Sequence, residues 1–148
     1  MQDFEKTIAE HKAFAYRFYE LWNAGEMDAM YDMLDEQVHD RNAGAGESGR
    51  AGVRKVLDHI RAAMPNLTYT VRDVVSNGTD TFVVFLRPRG TQTGELFGCP
   101  PKGQTAEWNE VRLCRLRDGK VIEHSAVIDG LAMYTQLGHV TPPERGSW

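Results

Sequence analysis

Asp129 is the side chain whose type and place point most directly to chemistry. It ends the expected strand Val121 to Ile128 and opens Gly130-Leu131-Ala132-Met133-Tyr134. A carboxylate in an apolar pocket is desolvated, which disfavours its charged form and brings it into the range useful for proton transfer near neutral pH. Aspartate is also a preferred helix N-cap, so Asp129 equally reads as the cap of the short helix that follows. Strand alternation puts Glu123, Ser125, Val127 and Asp129 on one face and Ile122, His124, Ala126 and Ile128 on the other. An imidazole is a ready base near neutral pH, but the parity of His124 opposes that of Asp129 and sends it to the outer face or a dimer interface. His39 neighbours Asp40-Arg41-Asn42; it is either a solvated histidine or one that reaches the pocket. Arg41 cannot be deprotonated, so it can anchor an anion or polarise a carbonyl but cannot act as a base. It is equally a surface arginine in a polar loop. Gln92, central in Gly90-Thr91-Gln92-Thr93-Gly94, can donate and accept hydrogen bonds but cannot shuttle a proton. Cys99 and Cys114 lack metal-ligand or redox-pair spacing and read as reduced thiols. The sequence has no phosphate loop, Gly-x-Ser-x-Gly elbow, His-Glu-x-x-His or paired zinc ligands.

The elements that must position these residues divide the chain in two. Phe4, Ile8, Ala15, Phe18, Tyr19 and Trp22 recur close to the 3.6-residue period, predicting a helix that ends near Asn23-Ala24-Gly25. Met27, Met30, Tyr31 and Leu34 predict a shorter helix, and Gly44-Ala45-Gly46 with Gly49 a loop. Val53, Val56, Leu57, Ile60 and Met64 predict a third helix stopped by Pro65. From Leu67 the period becomes strand-like. One strand runs from Tyr69 to a hairpin at Asn77-Gly78, others cover Thr81 to Leu86 and Trp108 to Leu116, and Asp118-Gly119 turns the chain into Val121 to Ile128. Three helices followed by at least four antiparallel strands predict an α+β fold, helices covering one face of a curved sheet. A single domain over residues 1–148 is expected, with Thr141 to Trp148 as an extended tail.

Three strings, Gly90-Thr91-Gln92-Thr93-Gly94, Asp118-Gly119-Lys120-Val121-Ile122-Glu123-His124, and Asp129-Gly130-Leu131 leading to Gln136-Leu137-Gly138, stand in an order and spacing over residues 10–140 that resemble the SnoaL-like polyketide cyclase family of the NTF2-like superfamily. The resemblance implies a helix-backed cone around a deep apolar pocket, paired sheet to sheet as a homodimer. It implies ring closure of a polyketide intermediate by intramolecular aldol condensation, with no metal or organic cofactor. Asp129 stands where the family carries its acid/base aspartate. Gln92 and Arg41 stand where family members carry histidine, and either could steady a developing oxyanion. Ser125 replaces a family tryptophan and frees volume unless Trp22, Phe97 or Trp108 fills it; Trp108 matches a family aromatic. Tyr19, Trp22 and Met33 would line the mouth that helix one closes, although such a stripe also suits plain core. The same scaffold hosts isomerases, dehydratases, hydrolases and non-catalytic ligand-binding or interaction domains, which remain the alternatives.

Composition narrows the partners. With 17 basic and 21 acidic residues in 148, net charge −4, the chain lacks the electrostatic footprint of a nucleic-acid binder. No apolar run approaches the ~20 residues of a membrane span. The opening Met1-Gln2-Asp3-Phe4-Glu5-Lys6 carries acids where a secretory signal would carry a basic region. A cytoplasmic protein acting on a hydrophobic small molecule, without nucleic acid or membrane, is expected.

Overall fold

The structure is a computed structural model and describes residues 3–41 and 48–144. Helices α1 (Phe4–Ala24) and α2 (Met27–Tyr31) precede strand β1 (Leu34–Asp40) and helix α3 (Gly49–Ala63). Strands β2 (Thr68–Ser76), β3 (Thr81–Thr91), β4 (Thr105–Glu107), β5 (Glu110–Arg117) and β6 (Lys120–Ile128) follow, then helix α4 (Gly130–Gln136). The sheet order is β1-β6-β5-β3-β2, with β4 added to β3. Among the described residues only the β1–β6 pair is parallel. The α+β expectation holds: the helices pack on a curved, mainly antiparallel sheet.

Local chemistry sets the helix ends. Asp3 accepts a hydrogen bond from the Lys6 N–H and caps α1. At the other end Gly25, with φ of 76°, turns the chain left-handed, and the Gly25 and Glu26 N–H groups bond back to the Trp22 and Leu21 carbonyls. Trp22 Nε1 donates to the Leu67 carbonyl at 2.9 Å, and Asn23 exchanges two 2.8 Å hydrogen bonds with the Tyr69 backbone. These bonds lock α1 across the start of β2. No helix among the described residues is long and apolar enough to cross a membrane. Residues 141–144 have no regular secondary structure; the rest of the expected tail, and the Gly44–Gly46 loop, lie outside the described residues.

Two corrections decide what the sheet presents to its interior. The apolar pattern through Leu34 predicted helix, but α2 stops at Tyr31 and Leu34 begins β1. Only Leu34 and Val38 of this strand are fully buried, and its register against β6 is irregular between Leu34 and His39, so its short polar sequence carries no clean alternation. The second correction concerns β6. Its pairing with β5 shifts between Arg115–Glu123 and Leu116–Val121, leaving Ile122 as an extra residue. Such a bulge moves the alternation by one position. Val121 faces the core, but beyond the bulge the inward residues are His124, Ala126 and Ile128, opposite Cys114, Arg112 and Glu110, while Glu123, Ser125 and Val127 face outward.

At the other end of α1, His11 is buried against Phe82, with Nδ1 2.7 Å from the Ser76 hydroxyl. The Gly78 N–H also donates to that oxygen, and the hydroxyl proton is assigned toward an unprotonated Nδ1. Burial holds the His11 pKa below the ordinary 6.5, against the weaker pull of Glu10 and Asp80. The unfolded chain therefore binds the extra proton first. The His11 contribution to stability is complete above pH 6.5 and declines as pH falls through 6.5 toward the folded value. His11→Asn is expected to flatten this part of a melting-temperature profile between pH 7 and 5; an unaltered slope would contradict the assignment.

Candidate active site

Two adjoining hollows lie between α1, β1, α3 and the inner face of the sheet. One, small, is walled by Phe14, Ala15, Phe18 and Tyr19 of α1, with Leu34, Phe82, Cys114, Val121 and His124. The other, also small, is walled by Val38, Asp40, Val53, Val56, Leu57 and Arg112. Phe18, Leu34 and His124 belong to both, so the imidazole stands at their junction. The walls are mostly apolar with a few convergent polar groups, the usual make-up of a small-molecule site.

Those polar groups are brought in by strand register. Asp40 and His124 are partners across the parallel β1–β6 pair, and His124 Nδ1 lies 3.3 Å from Asp40 Oδ1. Their side chains are only 12% and 17% exposed. With Nδ1 turned to the carboxylate, its proton is assigned there, and the Nε2 lone pair is left for a ligand. Cys114 sits opposite His124, but burial pushes its thiol up to about 12, so it remains a neutral wall atom and not a nucleophile.

A buried charge pair backs this site. Arg112 donates from Nη2 and Nε to Glu110 Oε2 at 2.6 and 3.0 Å, and Trp108 Nε1 donates to the other Glu110 oxygen at 2.9 Å. Arg112 Nη2 also reaches the Tyr69 hydroxyl at 3.2 Å, and its guanidinium lies 5.4 Å from the Tyr69 ring centre. Burial raises the Tyr19 and Tyr69 phenols well above their ordinary range, against the pull of Arg112, so both stay protonated.

The expected trio of Asp129, Gln92 and Arg41 does not converge. Asp129 is exposed and caps α4, accepting from the Ala132 N–H at 3.1 Å. Gln92 is fully buried, but its Nε2 donates to the Gly94 and Cys99 carbonyls, and its Oε1 lies 2.6 Å from His139 Nε2; it ties a loop to the end of α4. Arg41 is exposed and pairs with Glu123 on the outer face. Ser125 also faces outward, opposite Leu113, because of the bulge. His39 is exposed beside Glu123. The outward placement expected of His124 is reversed.

Among the expected binding residues, Tyr19 is in the wall. Trp22 and Trp108 are core residues, Trp22 edge-on to Tyr69 and Trp108 bonded to Glu110. Met33 packs against the core and accepts from the Val121 N–H through its carbonyl. Phe97 is exposed in a turn, with φ of 45°, stacked on His59. Asp40, Glu110 and Arg112 are the site residues that sequence reasoning missed. A signal existed for the last two: opposite charges two apart in Glu110-Val111-Arg112-Leu113-Cys114 share one face of a strand with a cysteine. Among the described residues, no three His, Cys, Asp or Glu side chains gather as a metal-binding group.

Comparison with known proteins bears on the family and the fold. A family model described as SnoaL-like polyketide cyclase matches residues 13–137. IdmH of Streptomyces antibioticus, a proposed polyketide cyclase, is 28% identical, with a TM-score of 0.71 over 92% of this chain and 99% of its own. A proposed SnoaL-like polyketide cyclase from Jannaschia sp. CCS1 is 26% identical, with a TM-score of 0.77 over 90% and 94%. AclR of Streptomyces galilaeus, a proposed hydroxylase, is 25% identical, with a TM-score of 0.78 over 90% and 99%. No curated protein matches the sequence significantly.

Proposed function

Because the chain belongs to the SnoaL-like polyketide cyclase family, we propose that it closes a ring in a polyketide-type substrate by intramolecular aldol condensation, with His124 moving the proton and Asp40 orienting it. The observation that carries this reading is the Asp40–His124 pair at the junction of two apolar hollows. His124 Nε2 takes a proton from a carbon next to a carbonyl, and the C–H electron pair moves onto the carbonyl oxygen as an enolate. The enolate carbon attacks a second carbonyl of the same chain, and the imidazolium returns its proton to the new alkoxide. Every step is a proton transfer or a carbon–carbon bond formation that needs no cofactor. Apolar walls hold the folded chain of the substrate and exclude water. Asp129 serves as the cap of α4. On the outer face, exposed Phe85 and Val127 favour pairing with a second copy, sheet to sheet.

The test is turnover of a linear β-polyketone, followed as cyclised product. His124→Gln is expected to lower kcat/KM by about 10²–10⁴-fold, while Asp129→Asn, which keeps a good cap, leaves it unchanged. The opposite pattern would return the chemistry to Asp129.

A further inference from the structure

The proposed mechanism accounts for the base but leaves the carbonyl oxygen, where the enolate charge collects, without a partner. Arg112 is placed to supply one. Of its three nitrogens, Nε and Nη2 are committed to Glu110 and Tyr69. Nη1 makes no hydrogen bond among the described residues, yet it is not sealed off by protein, although the side chain is only 8% exposed. Arg112 forms part of the same hollow wall as Asp40 and His124. An arginine held by two hydrogen bonds to one carboxylate oxygen and by an aromatic ring does not swing away to solvent, so the spare N–H groups are preorganised donors.

We propose that Arg112 is a further substrate-binding residue of this site, whose Nη1 donates to a carbonyl oxygen of a neutral, enolisable ketone and holds it as negative charge develops. The inference rests on the hollow being the active site. Charge balance selects the ligand class. Glu110 neutralises the guanidinium at 2.6 Å, and Asp40 adds a carboxylate to the same wall, so the hollow carries no surplus positive charge to attract a carboxylate. What it offers is a directed donor in a low-dielectric setting, strongest for an oxygen that becomes an oxyanion only during reaction.

Equilibrium dialysis of the intact chain with three probes of one shape tests this: 2-acetylnaphthalene, 2-ethylnaphthalene and 2-naphthoate. The wild type is expected to bind the ketone about tenfold tighter than the hydrocarbon, and the carboxylate less tightly than the ketone. Arg112→Lys keeps a cation for Glu110 but loses the planar fork. Arg112→Gln combined with Glu110→Gln keeps a neutral polar pair, so the buried carboxylate is not left alone. Both variants are expected to bind 2-ethylnaphthalene as the wild type does, which certifies the hollow, and to lose the tenfold preference. A preference that survives in both variants, equal binding of ketone and hydrocarbon by the wild type, or tightest binding of 2-naphthoate overturns the role of Arg112 while leaving the hollow as the site. Failure of the wild type to bind any probe overturns both.

Discussion

Replacing Glu110 by alanine is expected to lower the unfolding free energy by about 3–5 kcal/mol, a large part of the 5–15 kcal/mol that holds an ordinary domain together. Arg112 cannot escape by losing its proton. Burial works against its charge, but the Glu110 carboxylate, followed by Tyr19 and Tyr69, raises its pKa well above the ordinary value. Without Glu110 the guanidinium stays charged in a site where the side chain is 8% exposed. The Trp108 indole N–H, now bonded to Glu110 at 2.9 Å, loses its acceptor as well. Urea unfolding would show the loss as a lower midpoint at unchanged slope. The double substitution Glu110→Leu with Arg112→Met removes both charges and is expected to recover most of the stability, because a packed apolar pair avoids the desolvation cost of two ions. A single variant as stable as the wild type would show that the pair is not buried as described.

Asp40→Asn is expected to lower turnover of a β-polyketone nearly as far as His124→Gln, about 10²–10⁴-fold, although the amide matches the carboxylate in size. The carboxylate only accepts hydrogen bonds, so Nδ1 must present the proton to it and Nε2 keeps its lone pair. An amide can turn its NH₂ toward Nδ1, which then holds the imidazole as the tautomer with its proton on Nε2. That ring has no base facing the hollow. Because the two residues act as one unit, the double variant is expected to be no slower than the slower single variant. Multiplying losses in steady-state kinetics would separate Asp40 from His124 and leave the carboxylate without the orienting role.

Much of the architecture was legible in the sequence because its signals were local. Gly25 stopped α1, Pro65 lay just beyond α3, and Asn77-Gly78 and Asp118-Gly119 marked turns where β2 meets β3 and β5 meets β6. Strand β1 was not legible, since Leu-Asp-Glu-Gln-Val-His-Asp has too few apolar positions to show a period of two. The site was harder to read for one reason above others. Alternation assigns faces only while the register is unbroken, and the extra residue Ile122 re-phases everything beyond it. Nothing in Lys-Val-Ile-Glu-His-Ser-Ala-Val-Ile announces a bulge, and the faces were phased instead from Asp129 as a pocket residue, so His124 was read as outward and Ser125 as inward. Asp129 carried both its readings from the start, and the Ala132 N–H bond gives it the capping place. Gln92 and Arg41 were sound in chemistry but belonged to other tasks, a loop tie and a surface ion pair.

The parallel contact of β1 with β6 also has a meaning for how the candidate site is assembled. Asp40 and His124 are 84 residues apart, and β1 is an edge strand of the sheet, joined to it by a parallel pairing that no hairpin can make. Contacts of such long range carry a high loop-closure cost. Edge elements are also among the first to open in local fluctuations. Under the proposed mechanism, a molecule whose edge strand had opened would keep its core and its helices and have no oriented base.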